Sequence, residues 1–143
     1  INYIVVHCSA TREGCTLTSE ALEAEHRRRG FRTTGYHYYI RRDGTVLGTR
    51  SLELPGAHCR GHNKYSIGIC YEGGLDARGN PKDTRTPEQR SALHLLVYQL
   101  LQQFRNARVC GHRDLSPDLD GDGTVEPWEW VKQCPCFEVS KEF

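Results

Sequence analysis

An α/β fold, a single mixed β-sheet flanked by helices, is predicted by three features of the sequence. These are short β-branched apolar runs alternating with helical patterns, one Asp-Gly hairpin signal, and one strongly capped helix with an apolar stripe. Asn2 to Val6 reads as a strand buried on both faces, ending just before His7. Thr18 to Arg29 reads as a helix, with Thr18 as N-cap and Gly30 as its stop. Tyr36 to Arg42 and Thr45 to Thr49 are strand-like runs joined by Asp43-Gly44, which predicts an antiparallel pair. Leu54 to Lys64 is loop, Ser66 to Tyr71 a strand closed by Gly73-Gly74, and Leu75 to Arg85 a polar surface loop. Thr86-Pro87-Glu88-Gln89 forms a capping box, and Leu93, Leu96, Val97, Leu100, Leu101 and Phe104 then fall on one helical stripe. A short strand near Arg108 to Cys110 delivers His112, and a short helix is expected near Pro127 to Lys132.

The 143 residues suit one domain, 1–143, that buries enough surface to fold without disulfides or metal. A net charge of +1 lacks the basic footprint of a nucleic-acid binder, so Arg27, Arg28 and Arg29 read as a solvated helix face. No apolar run is long enough to span a bilayer, which argues against a membrane partner. Seven cysteines cannot all pair within one chain. Cys8, Cys70 and Cys110 lie in apolar strand-like surroundings and are expected as buried thiols, whereas Cys15 and Cys59 lie in loops where a bridge is open to them. The chain begins without Met inside an expected strand, so a trimmed start is expected, and the missing leader says nothing about export.

Zinc hydrolases hold the ion with three protein donors and keep a fourth position for water. His7 and His112 each follow a predicted strand, and strands that neighbour one another would bring them together. Cys134, in Lys132-Gln133-Cys134-Pro135-Cys136, would complete a set of two nitrogens and one sulfur, with Cys136 as the competing sulfur. The spacing is scattered, and a histidine beside a strand is more often structural. Residue chemistry alone leaves the metal open.

Six ordered motifs change the reading: Val6-His7-Cys8-Ser9-Ala10-Thr11; Gly35-Tyr36-His37-Tyr38 with Arg42-Asp43-Gly44-Thr45; Pro55-Gly56-Ala57-His58; Asn63 with Ser66-Ile67-Gly68-Ile69; Gly111-His112-Arg113-Asp114; and Lys132-Gln133-Cys134-Pro135. Together they resemble the zinc-dependent N-acetylmuramoyl-L-alanine amidases, the family of phage amidase-type lysozymes and peptidoglycan recognition proteins. The resemblance implies that fold, with His7, His112 and Cys134 as zinc ligands, Tyr36 and Lys132 as catalytic residues, and His58 and Asn63 in the substrate cleft. It further implies hydrolysis of the amide between N-acetylmuramic acid and L-alanine in peptidoglycan or a muropeptide. The expected setting is the cell wall, in the periplasm or outside the cell, as for a phage or prophage endolysin. A monomer is expected. The rival reading is a recognition module that binds muropeptides without cleaving them, and the complete ligand set plus Tyr36 argues against it.

Residues 118–129 form an acidic insertion that fits the EF-hand loop. Asp118, Asp120 and Asp122 supply carboxylates, Gly123 the turn, Thr124 a carbonyl, Val125 the apolar anchor and Glu129 the terminal bidentate carboxylate. Carboxylates so close repel one another unless a cation neutralises them, which predicts Ca²⁺ there as a second, structural ion. The alternative is a solvated acidic loop, since no convincing helix precedes Asp118. Calcium would then fold the insertion and help place Lys132 and Cys134.

Overall fold

A computed structural model describes residues 1–143. In chain order the strands are β1 (Tyr3–Cys8), β2 (Thr11–Arg12), β3 (Tyr38–Ile40), β4 (Val46–Gly48), β5 (Ser66–Tyr71), β6 (Gly74–Leu75) and β7 (Arg108–Gly111). The two α-helices are α1 (Ser19–Arg28) and α2 (Pro87–Gln103). Five strands make the main sheet in the order β4-β3-β5-β1-β7, with only the β3–β4 pair antiparallel. This is the mixed sheet with flanking helices that the sequence predicts.

Strand alternation decides which face carries chemistry. Along β1, Ile4, Val6 and Cys8 face the main core, where Leu93, Leu96, Val97 and Leu100 of α2 cover the sheet with Ile67, Ile69 and Tyr71 of β5. His7 therefore points to the opposite face. That second face holds only a small apolar cluster of Leu22 from α1, Tyr39 and Cys70. Its thin cover leaves room for a cleft between α1 and the sheet.

The helix caps fall where the sequence places them. Thr18 Oγ1 accepts from Ala21 N at 3.1 Å, and Thr86 and Gln89 form the reciprocal capping box of α2.

Several boundaries differ from expectation. His7 lies inside β1, because pairing with β5 continues through His7↔Cys70 and Cys8↔Tyr71. Strands β3 and β4 are only three residues each, joined through Arg41 to Thr45 with Gly44 at φ 89°, so Tyr36 stands before the strand. The helix expected near Pro127 to Lys132 is a single 3₁₀ turn, Pro127–Glu129, at the end of the acidic loop, and Lys132 lies beyond it. Strands β2 and β6 form a separate parallel pair that the sequence did not announce, being too short to show alternation. Cys8, Cys70 and Cys110 are buried as expected; all seven cysteines are free thiols, so no bridge joins exposed Cys15 to buried Cys59.

Candidate metal centre and its cleft

His7 and His112 are brought together by parallel pairing of β1 with β7. Val6 pairs with Gly111, so the residue that follows each of them is one of the two histidines, and their rings lie 4.6 Å apart. Cys134 arrives on the C-terminal segment, which is fastened at several points. Arg113 N donates to Cys134 O at 2.9 Å, and Tyr71 Oη donates to Pro135 O at 2.6 Å. Gly111 makes the seat possible, since a Cβ there would stand 2.7 Å from Pro135 Cδ. One donor atom from each of His7, His112 and Cys134 lies within 4.8 Å of the others. Cys136 does not join them; its Sγ faces Cys8 Sγ at 4.0 Å.

The donors suit a borderline-soft cation such as zinc, which takes imidazole nitrogen and thiolate sulfur. Burial, reinforced by His58, His112 and Lys132, holds the His7 pKa well below the usual histidine value, so its ring is neutral with a lone pair to give. Cys8 N donates to Cys134 Sγ at 3.2 Å, which helps fix where the sulfur stands.

The centre forms the floor of a cleft of about 310 Å³ whose wall includes Tyr36, His58, Lys132 and Ser9. The ring of Tyr36 lies 5.1 Å from that of His7. Its backbone carbonyl accepts from Thr34 Oγ1 at 2.9 Å and Thr49 Oγ1 at 2.7 Å, which fixes its place before β3. Burial, then the nearby thiols of Cys70, Cys134 and Cys8, push its phenol well above the usual tyrosine pKa. His58 reaches His7 directly, Nδ1 to Nε2 at 2.8 Å, and burial lowers its pKa to about 3. Asn63 is outside the cleft wall, and its Oδ1 accepts from His58 N at 2.9 Å and Cys59 N at 2.8 Å. A larger hollow of about 680 Å³ adjoins, lined by Arg60, Arg108 and Arg113 and sharing His112 and Lys132 with the cleft.

Comparison with known proteins places this architecture. The profile of the N-acetylmuramoyl-L-alanine amidase family matches residues 1–135. The chain belongs to that family. The endolysin of Klebsiella phage KP32 is 36% identical over 138 residues, covering 96% of this chain and 82% of the phage protein. The solved N-acetylmuramoyl-L-alanine amidase LysC from Clostridium intestinale superposes with a TM-score of 0.75 at 27% identity, over 99% of this chain and 80% of that one. A peptidoglycan-recognition protein of Drosophila melanogaster is 29% identical over 117 residues, covering 78% of this chain and 63% of the fly protein.

In this amidase-family chain one wall of the cleft went unread in the sequence. Leu22, Glu25, His26 and Arg29 of α1 and its C-cap line it. Their spacing puts them on a single helical face, the signal that was available. Arg29 is therefore at the cleft, while Arg27 pairs with Glu23 at 3.2 Å on the solvated side. His26 is buried and its Nδ1 accepts from Gly35 N at 2.8 Å.

The acidic loop folds on itself. Asp118 accepts from Gly121 N at 3.0 Å and Gly123 N at 2.8 Å, while Glu129, 3% exposed, accepts from Leu119 N, Asp120 N and Glu126 N. Carboxylate oxygens of Asp118, Asp120 and Glu129 lie within 4.8 Å of one another, as do those of Asp120, Asp122 and Glu126. Thr124 donates through both N and Oγ1 to Asp122 Oδ1. Crowding by Asp122 and Glu129 pushes the Glu126 carboxyl up to about 7. Glu126 was not among the ligands read from the sequence.

Proposed function

We propose that this chain is a zinc-dependent amidase that hydrolyses the amide between the lactyl group of N-acetylmuramic acid and L-alanine in peptidoglycan. His7, His112 and Cys134 would hold the zinc. The observation that carries the reading is the meeting of these three donors on the floor of an open cleft, within a chain of the amidase family. No fourth His, Cys, Asp or Glu joins the cluster, so a zinc ion held by these three would keep a position for water.

Zinc held there supplies Lewis acidity to the scissile carbonyl and lowers the pKa of a water. The protein supplies the rest. Tyr36 keeps its proton at any working pH, so its phenol would be the hydrogen-bond donor offered to the substrate in the cleft. Lys132, on the same wall, sets a positive charge against the negative charge that develops on the carbonyl oxygen. His58 bears on His7, and Asn63 shapes the loop that carries His58. Residues 1–143 work as one amidase domain with 118–129 as an insertion, acting as a monomer on the cell wall from the periplasm or outside, as an endolysin does.

The deciding assay uses purified cell walls, following turbidity together with newly exposed amino groups of L-alanine. Lysis with one amino group per cut, abolished by chelator and restored by zinc, is the expected result. Binding to walls with no amino groups released would make the protein a recognition module.

The loop of residues 118–129 is proposed to hold calcium through Asp118, Asp120, Asp122, the Thr124 carbonyl and Glu129. Its support is the juxtaposition of these carboxylates, with oxygens of Asp118, Asp120 and Glu129 within 4.8 Å of one another. In zinc-replete protein, calcium at a hundred times its dissociation constant should raise stability by about 2.7 kcal/mol. Unchanged melting with and without calcium removes the proposal.

A further inference from the structure

The contact between His58 and His7 has a consequence for which nitrogen of His7 is free. A neutral imidazole carries one N–H and one lone pair. His7 Nε2 and His58 Nδ1 are 2.8 Å apart, and His58 Nε2 is 3.1 Å from Ser66 Oγ. Two proton arrangements satisfy this chain. In the first, His7 Nε2–H donates to His58 Nδ1 and His58 Nε2–H donates to Ser66 Oγ. In the second, the Ser66 hydroxyl donates to His58 Nε2 and His58 Nδ1–H donates to His7 Nε2. The second arrangement consumes the Nε2 lone pair of His7 and leaves the proton on Nδ1, so no nitrogen remains to bind a metal. Only the first leaves His7 a lone pair, on Nδ1.

We propose that His58 is a positioning residue that fixes His7 in the Nε2-protonated tautomer and so presents Nδ1 to the metal, with Ser66 as the terminal acceptor. This inference rests on the zinc reading above. The seat of His58 is shaped for such a task. Its ring lies against two glycines, where a Cβ on Gly56 or Gly68 would stand 2.3 Å or 2.6 Å from His58 Cδ2. Asn63 Oδ1 holds the backbone N–H groups of His58 and Cys59. The rings of His7 and His58 meet edge to face, at 87°. A side chain confined in this way cannot swing to follow a substrate, but it can hold a neighbour's ring in one orientation. Partners that orient metal-bound histidines typically change metal affinity by about 10–100-fold.

The test measures zinc affinity by competition with a chromophoric chelator for the wild type, His58→Ala, His58→Gln and Ser66→Ala. Wild type should bind one zinc, and His58→Ala should bind it about 10–100-fold more weakly, with activity returning as zinc is raised. His58→Gln, whose amide oxygen can accept from His7 Nε2–H, should recover affinity above the Ala variant. Ser66→Ala should weaken zinc less than His58→Ala does. Nitrogen-15 NMR of zinc-loaded wild type should show His7 protonated on Nε2, a readout independent of whether any variant folds. A metal on His7 Nε2, or a folded His58→Ala that binds zinc as wild type does while losing activity, overturns the proposal and leaves His58 in contact with substrate. A wild type that binds no zinc overturns the metal reading itself, and this inference with it.

Discussion

At the His7, His112 and Cys134 centre, donors from opposite ends of the chain meet because β1, β7 and the fastened C-terminal segment carry them there. In the loop of residues 118–129, the carboxylates of Asp118, Asp120, Asp122 and Glu129 are instead held by backbone groups of their own short stretch. The first cluster is made of two imidazoles and a cysteine sulfur in and around a cleft, and the second of crowded carboxylates, mostly exposed with Glu129 buried. The difference separates two dependencies. Strand pairing and the fastened C-terminal segment set the first, whereas the second sets like charges against one another and gains from a cation.

The largest expected effect separates the clusters by activity. Cys134→Ala should reduce wall hydrolysis to background and abolish stoichiometric zinc, while Cys136→Ser keeps the zinc; the reverse pattern would move the ligand to Cys136. Tyr36→Phe keeps the ring but removes the phenol donor, and should lower kcat by about 10²–10³-fold with zinc content unchanged. If its rate stays near wild type, Tyr36 is a packing residue.

Acid should then act with opposite sign on the buried histidines and on Glu126 of the loop. His7, His26, His37 and His58 all have pKa values lowered chiefly by burial, so they stay neutral in the fold while the unfolded chain takes up protons below a pH of about 6.5. Their contribution is complete above that pH and is lost as pH falls toward the His58 value of about 3. Glu126 runs the other way. Its folded pKa of about 7 exceeds the ordinary 4.5, so protonation favours the fold as pH drops through that window. Urea midpoints of metal-free protein between pH 7.5 and 4 should fall, and fall more steeply in Glu126→Gln; an unchanged slope would remove the loop's share. The smallest effect belongs to Glu129→Gln, which should erase any calcium-dependent gain in melting temperature and move activity far less than Cys134→Ala does.

Legibility tracked the range of the interactions. The capping box at Thr86 and the stripe from Leu93 to Leu100 are local, and α2 follows them closely. The ends of β1 and β3 were misplaced because pairing across the sheet sets them: Cys70 extends β1 through His7, and the five-residue turn shortens β3. The three donors were legible through their motifs. The grip of His58 on His7 was not, since it depends on how the loop around Gly56 folds over Gly68. The α1 wall of the cleft was overlooked for a different reason, because a row holding Glu25, His26 and Arg29 looks like an ordinary wet face until the sheet is placed opposite.

His112 and Lys132 stand between the cleft and the larger arginine-lined hollow, belonging to both. A change at either residue therefore reshapes two hollows at once, whereas a change at Tyr36 or Arg60 touches one alone.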